Sequence, residues 1–429
     1  MKLIYAPYMK NQLFSFLVIF SFLLGACTTP TMEPTAALTI APTTAPTIQN
    51  TATVQPLPTV EASPVPTESI GNEANTLHIY QLIMTTETTG WALGGRSGES
   101  SKVLRTGDAA KTWVDMKIPF DGGADPGSVV LAGFFLDDQT GWVTPYMTAL
   151  PPIAEQYVWK STDSGVTWSK SLLATDGMME AFSISHIFFV DELNGWLMAH
   201  VGAGMNHDYI VIYHTNDGGL TWEKVVDPTN NNNVVDGDRG IQSCSKNGLI
   251  FSDPQNGWLT GSCNGVAAGV LLFQTHDGGK TWSNVNLPDP DKHTGIYQNF
   301  DAVCASQFPN VSVGVVQLEV ACKFMNAPLD QPVVLLYQST DGGTNWEKKE
   351  IPAGNLTYLP ESGLLVQGTT TSILRDTQKK WIDLKDVPEG ISTQFISKDI
   401  GWILSATGEI YMTTDGGLIW GIISPQLIE

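Results

Sequence analysis

Six short stretches repeat one pattern, Ser/Thr-x-Asp-x-Gly-x-Thr-Trp with small departures, and nothing else in the 429 residues constrains the fold as much. They contain Asp108 and Trp113, Asp163 and Trp168, Asp217 and Trp222, Asp277 and Trp282, Asp341 and Trp346, and Asp415 and Trp420. A seventh, degenerate copy ends at Trp381. Each residue type has a task in a tight hairpin turn. The Asp carboxylate accepts backbone N–H groups, Gly takes the φ > 0 conformation, and Trp starts the outgoing strand with a ring to bury. A fixed period makes each copy one supersecondary unit.

Upstream of most of these turns stands an apolar strand, a polar turn and then Gly-Trp. The pairs are Gly90-Trp91, Gly141-Trp142, Gly195-Trp196, Gly257-Trp258 and Gly401-Trp402, with Gly314-Val315 and Gly363-Leu364 in the fifth and sixth units. Each unit therefore reads as four short strands A to D: A before the polar turn, B at Gly-Trp, C before the Asp turn, D after it. No sustained 3.6-residue apolar period interrupts them, so helices are expected to be nearly absent. Seven units share residues 76–429 at about 51 residues each, the size of a four-stranded propeller blade. The expected fold is all-β: a seven-bladed β-propeller of four-stranded antiparallel blades. Its ring would close by packing the last blade on the first without exchanging a strand; an open solenoid is the alternative.

The residues before 76 predict a different kind of chain. Lys2 and Lys10 precede an uncharged run from Leu13 to Leu24. That run is too short for a finished transmembrane helix and fits an export signal, 1–26. It ends in Leu24-Gly25-Ala26-Cys27, similar to the bacterial lipobox, which makes Cys27 the lipidation site; an ordinary signal peptide with a chance cysteine is the alternative. Residues 27–75 are a Thr/Pro-rich tract without Lys or Arg, expected to be a disordered tether. The protein is thus expected at a cell membrane, lipid-anchored and facing the extracytoplasmic side.

A net charge of −21, becoming −23 without the two leader lysines, argues against nucleic acid as a partner. Besides Cys27 there are four cysteines, an even number that suggests two disulfides in an exported domain. The expected pairs are Cys244–Cys263 and Cys304–Cys322, each flanking an A–B hairpin, with pairing across blades four and five as the alternative.

The Asp-turn repeats resemble the Asp-box (BNR) repeats of sialidases, sortilin-type receptors and some glycoside hydrolases. The run Gly-Trp-Ala-Leu-Gly-Gly at 90–95, with Leu-Arg-Thr at 104–106 and Lys-Thr-Trp at 111–113, is most similar to photosystem II assembly/stability factor propellers. That resemblance implies a propeller with an assembly or scaffolding role, and this chain departs from the family in its acidity and its four arginines.

The resemblance implies two classes of chemistry, binding and glycoside hydrolysis. A sialidase needs three arginines clamping a carboxylate. Of the four here, Arg105 and Arg375 precede C–D turns, which leaves Arg96 and Arg239. Other glycoside hydrolysis needs two carboxylates about 5–10 Å apart, and Asp121, Asp125, Asp176, Glu180, Asp236, Asp238, Asp289 and Asp291 lie in variable segments. The Asp-turn carboxylates are expected to be structural, each serving its own turn. Neither Asn230–Asn233 with Asp236 and Asp238 nor the pair His200 and His207 matches a defined metal spacing, so no metal and no cofactor is expected.

Topology puts A–B turns and Asp turns at one end and the long B–C and D–A segments at the other. The latter are 119–128, 146–157, 173–183, 200–208, 227–243, 287–301 and 323–331. Function is expected on loops carried by a rigid scaffold. The candidate binding residues there are Arg96, Tyr146, Tyr157, Arg239, Tyr297 and Phe300, of types enriched at binding hot spots. The expected activity is binding of a protein or peptide partner by a monomer; the alternative is a carbohydrate-active enzyme using loop carboxylates.

Overall fold

In the computed structural model the chain divides into two units, Met1–Pro66 and Thr67–Glu429. The described residues all belong to the second. They are 77–428 except 97–98, 100, 120–129, 146–155, 176–181, 205–206, 230–239, 263–270, 289–301, 313–314, 325–332, 353, 360–362, 369 and 375–379. For 262, 302–324, 333, 355 and 358 only the backbone is described. The leader, Cys27 and the Thr/Pro tract lie outside the described residues.

Short strands separated by turns produce small antiparallel sheets in chain order. The first holds β1 (Leu77–Met84), β2 (Gly90–Arg96), β3 (Lys102–Thr106) and β4 (Thr112–Asp115). The next holds β5 (Leu131–Phe135), β6 (Gly141–Pro145), β7 (Gln156–Ser161) and β8 (Ser169–Leu173). It is followed by β9 (Ser183–Phe189), β10 (Gly195–Gly204), β11 (His207–Thr215) and β12 (Glu223–Val226). Then come β13 (Ser245–Phe251), β14 (Gly257–Ser262), β15 (Leu271–Thr275) and β16 (Ser283–Asn284). The fifth group is β17 (Ala302–Ser312), β18 (Val315–Phe324), β19 (Val333–Ser339) and β20 (Glu347–Ile351). The sixth is β21 (Asn355–Leu359), β22 (Gly363–Gln367), β23 (Thr371–Leu374) and β24 (Ile382–Leu384). The last is β25 (Ser392–Phe395), β26 (Gly401–Leu404), β27 (Ile410–Thr413) and β28 (Gly421–Ile423), after which β29 (Gln426–Ile428) ends the chain. No helix occurs among the described residues, and none is therefore long and apolar enough to cross a membrane.

The arrangement is propeller-like, and it differs from expectation in one respect. Six sheets have the four strands foreseen; the sheet opened by β1 has five, because β29 pairs in parallel with β4. The chain's last strand is therefore added to the outer edge of the first sheet, while every sheet keeps its own four strands. Gln426 donates its N–H to Lys111 O, and Leu427 packs on the apolar cluster beneath. The three-residue strand could not be read locally, since its partner lies some three hundred residues away in sequence.

Consecutive sheets are held face to face by one repeated device. The last residue of strand A is an aromatic ring opposite the Gly of Gly-Trp: Phe135 on Gly141, Phe189 on Gly195, Phe251 on Gly257 and Phe395 on Gly401. A Cβ on Gly195 would lie 2.3 Å from the Phe189 ring, so only Gly lets the ring lie flat there. That ring then stacks on the Trp of the preceding sheet. Trp142 and Phe189 lie 3.6 Å apart at 10°, Trp196 and Phe251 3.6 Å apart at 4°. The strand-D Trp closes on the same Phe edge-on, as Trp222 does on Phe189 at 6.0 Å and 80°. Between the last and first sheets, Trp402, Leu404 and Ile410 share a cluster with Leu77, Ile79 and Leu104. The Gln394 amide accepts Met84 N–H at 2.8 Å and donates to Met84 O at 2.7 Å.

Candidate functional site

The aspartate turns are occupied by their own hydrogen bonds. In the turn of Asp163, Oδ1 accepts Thr167 N–H at 2.8 Å, Oδ2 accepts the Thr167 hydroxyl at 2.6 Å, and Ser161 Oγ donates to Oδ1 at 2.9 Å. Ser161 Oγ accepts Gly165 N–H at 2.8 Å. Asp108, Asp217 and Asp277 repeat the set with Thr112, Thr221 and Thr281, and Asp341 does so with Asn345. Asp415 takes two backbone N–H groups, from Leu418 and Ile419. The Thr167 hydroxyl and then its N–H hold the Asp163 carboxyl below the usual range. For Asp341 the Asn345 N–H leads. Trp113, Trp282, Trp346 and Trp420 each donate Nε1–H to a carbonyl of their own turn, whereas Trp168 and Trp222 reach Met116 O and Ser171 Oγ of the preceding sheet. Trp381 packs half-buried beside Leu364 and Val366.

Both kinds of turn meet at this end. Gly218 N–H donates to Leu193 O at 2.8 Å, and Gly278 N–H to Gln255 O at 3.0 Å. Arg105 also lies here: its Nη1 donates to Gly90 O at 2.9 Å and its Nη2 to Asp138 O at 2.8 Å, with the guanidinium 4.5 Å above the Trp91 ring. Asp138 accepts the Thr85 and Thr89 hydroxyls, and together with Arg105 these outweigh the burial that pushes its carboxyl upward, leaving it below the usual range.

The opposite end carries the B–C and D–A connections. Its longest described projection is the β10–β11 hairpin, where 200–208 was expected as loop and continues instead as paired strand, Gly202 with Tyr209 and Gly204 with His207. β12 stops pairing at Ile212, and the segment 240–243 replaces it along the upper part of β11. The Gln242 amide accepts Ile210 N–H at 2.8 Å and donates to Ile210 O at 3.0 Å, while Asp208 N–H donates to Gln242 O at 3.1 Å.

A polar cluster forms under this junction. His200 Nδ1 lies 2.8 Å from Asp208 Oδ1, and Asp208 Oδ2 accepts the Lys246 N–H at 3.1 Å. Lys246 is 3% exposed, and its ammonium donates to Ser243 O at 2.5 Å and Cys244 O at 2.7 Å. Burial pushes that ammonium down to about 8, against the pull of Asp208. His186, across from Met198, is pushed to about 4 by burial and then by His200, with the Asn247 backbone opposing. The Asp208 carboxyl stays below the usual range, because His200 and then Lys246 overcome its desolvation. The sequence drew attention to His200 alone of these. His186, Asp208 and Lys246 come together only through strand register, which no local pattern spells out.

The other expected site residues are placed as follows. Arg96 closes β2 opposite Leu77, half-buried, its Nε without a hydrogen-bond partner among the described residues. Tyr157 was expected in a loop and stands in β7, its ring 6.0 Å from Trp159 with Lys170 Nζ 4.7 Å above it. His207 stacks on Tyr209 at 5.8 Å. Tyr146, Arg239, Tyr297 and Phe300 lie outside the described residues, as do the eight loop carboxylates and Asn230–Asn233. Among the described residues no group of three or more His, Cys, Asp or Glu could hold a metal.

No family model matches the chain. A xyloglucanase from a Paenibacillus species is 25% identical over 293 residues, covering 62% of this chain and 25% of that protein. The chain thus spans about a quarter of the length of the curated relative it matches. YCF48 solved bound to a D1 peptide is 17% identical at a TM-score of 0.49, covering 80% of this chain and 94% of that one. The Niastella koreensis GH74 enzyme is 14% identical at a TM-score of 0.33, covering 81% and 63%. The architecture described above stands on strand pairing and packing in this chain alone.

Proposed function

We propose that residues 76–429 form a seven-bladed propeller, held by a tether to a lipid on Cys27 at the extracytoplasmic face of a membrane, and that this monomer binds a protein or peptide partner through its loop-bearing end. The observation that carries the reading is the division of work between the two ends. At one, every repeated carboxylate is taken up by its own turn; at the other, the β10–β11 projection stands on paired strands, and loops carried by a rigid scaffold are where binding surfaces are commonly built. Arg96, Tyr146, Tyr157, Arg239, Tyr297 and Phe300 are the proposed contact residues. Two disulfides belong to the same reading. For Cys244–Cys263 the support is register, since Ser245, the next residue after Cys244, pairs with Ser262, the residue before Cys263. Cys304 stands directly opposite Cys322.

A second reading, a carbohydrate-active enzyme using loop carboxylates, is favoured by the 25% identity to a xyloglucanase. The two are separated by offering xyloglucan, aryl glycosides and sialosides to the purified full chain alongside partner capture from solubilised membranes. Binding without turnover is the expected outcome. Turnover abolished by one loop Asp→Asn change would establish the enzyme.

A further inference from the structure

Between the last two sheets, at the loop-bearing end, a half-open cavity of about 210 Å³ is lined by Leu356, Thr357, Gln367, Ile391, Ser392 and Thr393. It is formed where β21 and the end of β22 face the connection entering β25. Gly390 forms part of its wall because a Cβ there would lie 2.5 Å from Ile403 Cγ2, which keeps the connection flat on β26. In a chain of 22 basic and 43 acidic residues, this lining holds no charged side chain. It offers three hydroxyls and an amide, and polar atoms make up most of its accessible wall. The amide is already oriented: Gln367 Oε1 accepts the Thr393 hydroxyl and its Nε2 donates to Pro388 O at 3.4 Å. The Thr357 and Ser392 hydroxyls, each donor and acceptor, complete the polar wall.

We infer that this cavity is a binding subsite for a single neutral sugar ring of a glycan, held without being cleaved. Three physical features point to that ligand class. A neutral lining imposes no cost for burying an unpaired charge and offers no charge to attract an ionic ligand. Hydroxyls and a pre-oriented amide match a ligand that carries donors and acceptors around one ring. At about 30 Å³ per water the cavity holds about seven waters, room for one ring and too little for a chain. No carboxylate lines it, so it contains neither the acid nor the nucleophile of glycoside hydrolysis. The inference is independent of the protein-partner reading, although it uses the same end of the molecule.

The test is saturation-transfer-difference NMR and calorimetry on the purified full chain with neutral oligosaccharides (xyloglucan heptasaccharide, cellotriose, chitotriose) and with free N-acetylneuraminic acid as the charged control. Two variants probe the lining: Ser392→Trp, which fills the mouth from an exposed position, and Thr357→Val, which removes one hydroxyl at constant shape. Retained thermal midpoints verify that both fold. At least one neutral glycan should bind, N-acetylneuraminic acid should not, and affinity should fall at least about tenfold in Ser392→Trp and several-fold in Thr357→Val. No saturable neutral-glycan binding would overturn the inference, as would unchanged affinity in both variants. So would capture of a neutral peptide, in place of any glycan, that Ser392→Trp abolishes. Failure of these arms leaves partner capture through the other loops unaffected, so the two readings fail separately.

Discussion

Two residues decide whether the first aspartate turn is relaxed. Where the turn of Asp217 has Gly218 and Gly219 at φ 75° and 86°, this turn has Ala109 and Ala110 at φ 62° and 71°. A left-handed L-residue costs about 1–2 kcal/mol, so Ala109→Gly, at a half-buried site, should stabilise the protein by about 1 kcal/mol. Chemical denaturation checks this, and no gain would mean that the turn is held without strain. The polar cluster predicts a pH dependence. Lys246 binds its proton with a pKa of about 8 when folded and 10.5 as the free side chain. The unfolded chain therefore holds more protons between those values, and stability rises with pH across that window. Lys246→Met should remove the rise. His186, at about 4 against 6.5, acts in the same sense: stability declines as pH falls from about 6.5 to 4, and His186→Gln should flatten that decline in urea midpoints taken every half unit. Neither group was legible in the sequence, because a buried lysine and a surface one are spelled alike.

At the scale of the element, the unit that carries stability is Phe, Gly and Trp across one strand pair and one sheet interface. Trp196→Ala removes a fully buried ring stacked on Phe251 and should cost about 3–5 kcal/mol. Gly195→Ala should also destabilise, since the Phe189 ring occupies the place of its Cβ. Denaturant titration of both tests the packing account, and a loss below about 1 kcal/mol for Trp196→Ala would contradict it. Much of this was readable beforehand. Gly-Trp announces strand B and the Asp turn announces the C–D hairpin, because both are local and repeated. The reason for the Gly was not readable, since it depends on which residue stands opposite, and register follows from the whole sheet. The continuation of β10 and β11 into 200–208 was missed for the same cause: Gly202 and Gly204 look like loop, and a bulge between His200 and Gly202 lets the pairing run on.

For the whole molecule, the repeat predicted the sheets in order and the packing of the last on the first, while β29 escaped it. Deleting residues 426–429 should lower the thermal midpoint and raise amide exchange in β4, whose outer edge β29 covers; unchanged exchange at Thr112–Asp115 would show that the added strand contributes nothing. The candidate site was legible as an end of the molecule rather than as a set of residues, since its connections vary where the turns repeat. The central claim is that one end builds the scaffold and the other meets the partner. It is tested most directly by placing a photocrosslinking amino acid at Ala203, on the β10–β11 projection, and separately at Leu220, 64% exposed beside an aspartate turn. Irradiated in the membranes of the producing cell, the chain should crosslink to a discrete partner from Ala203 and not from Leu220. Crosslinking from Leu220 alone would contradict the account.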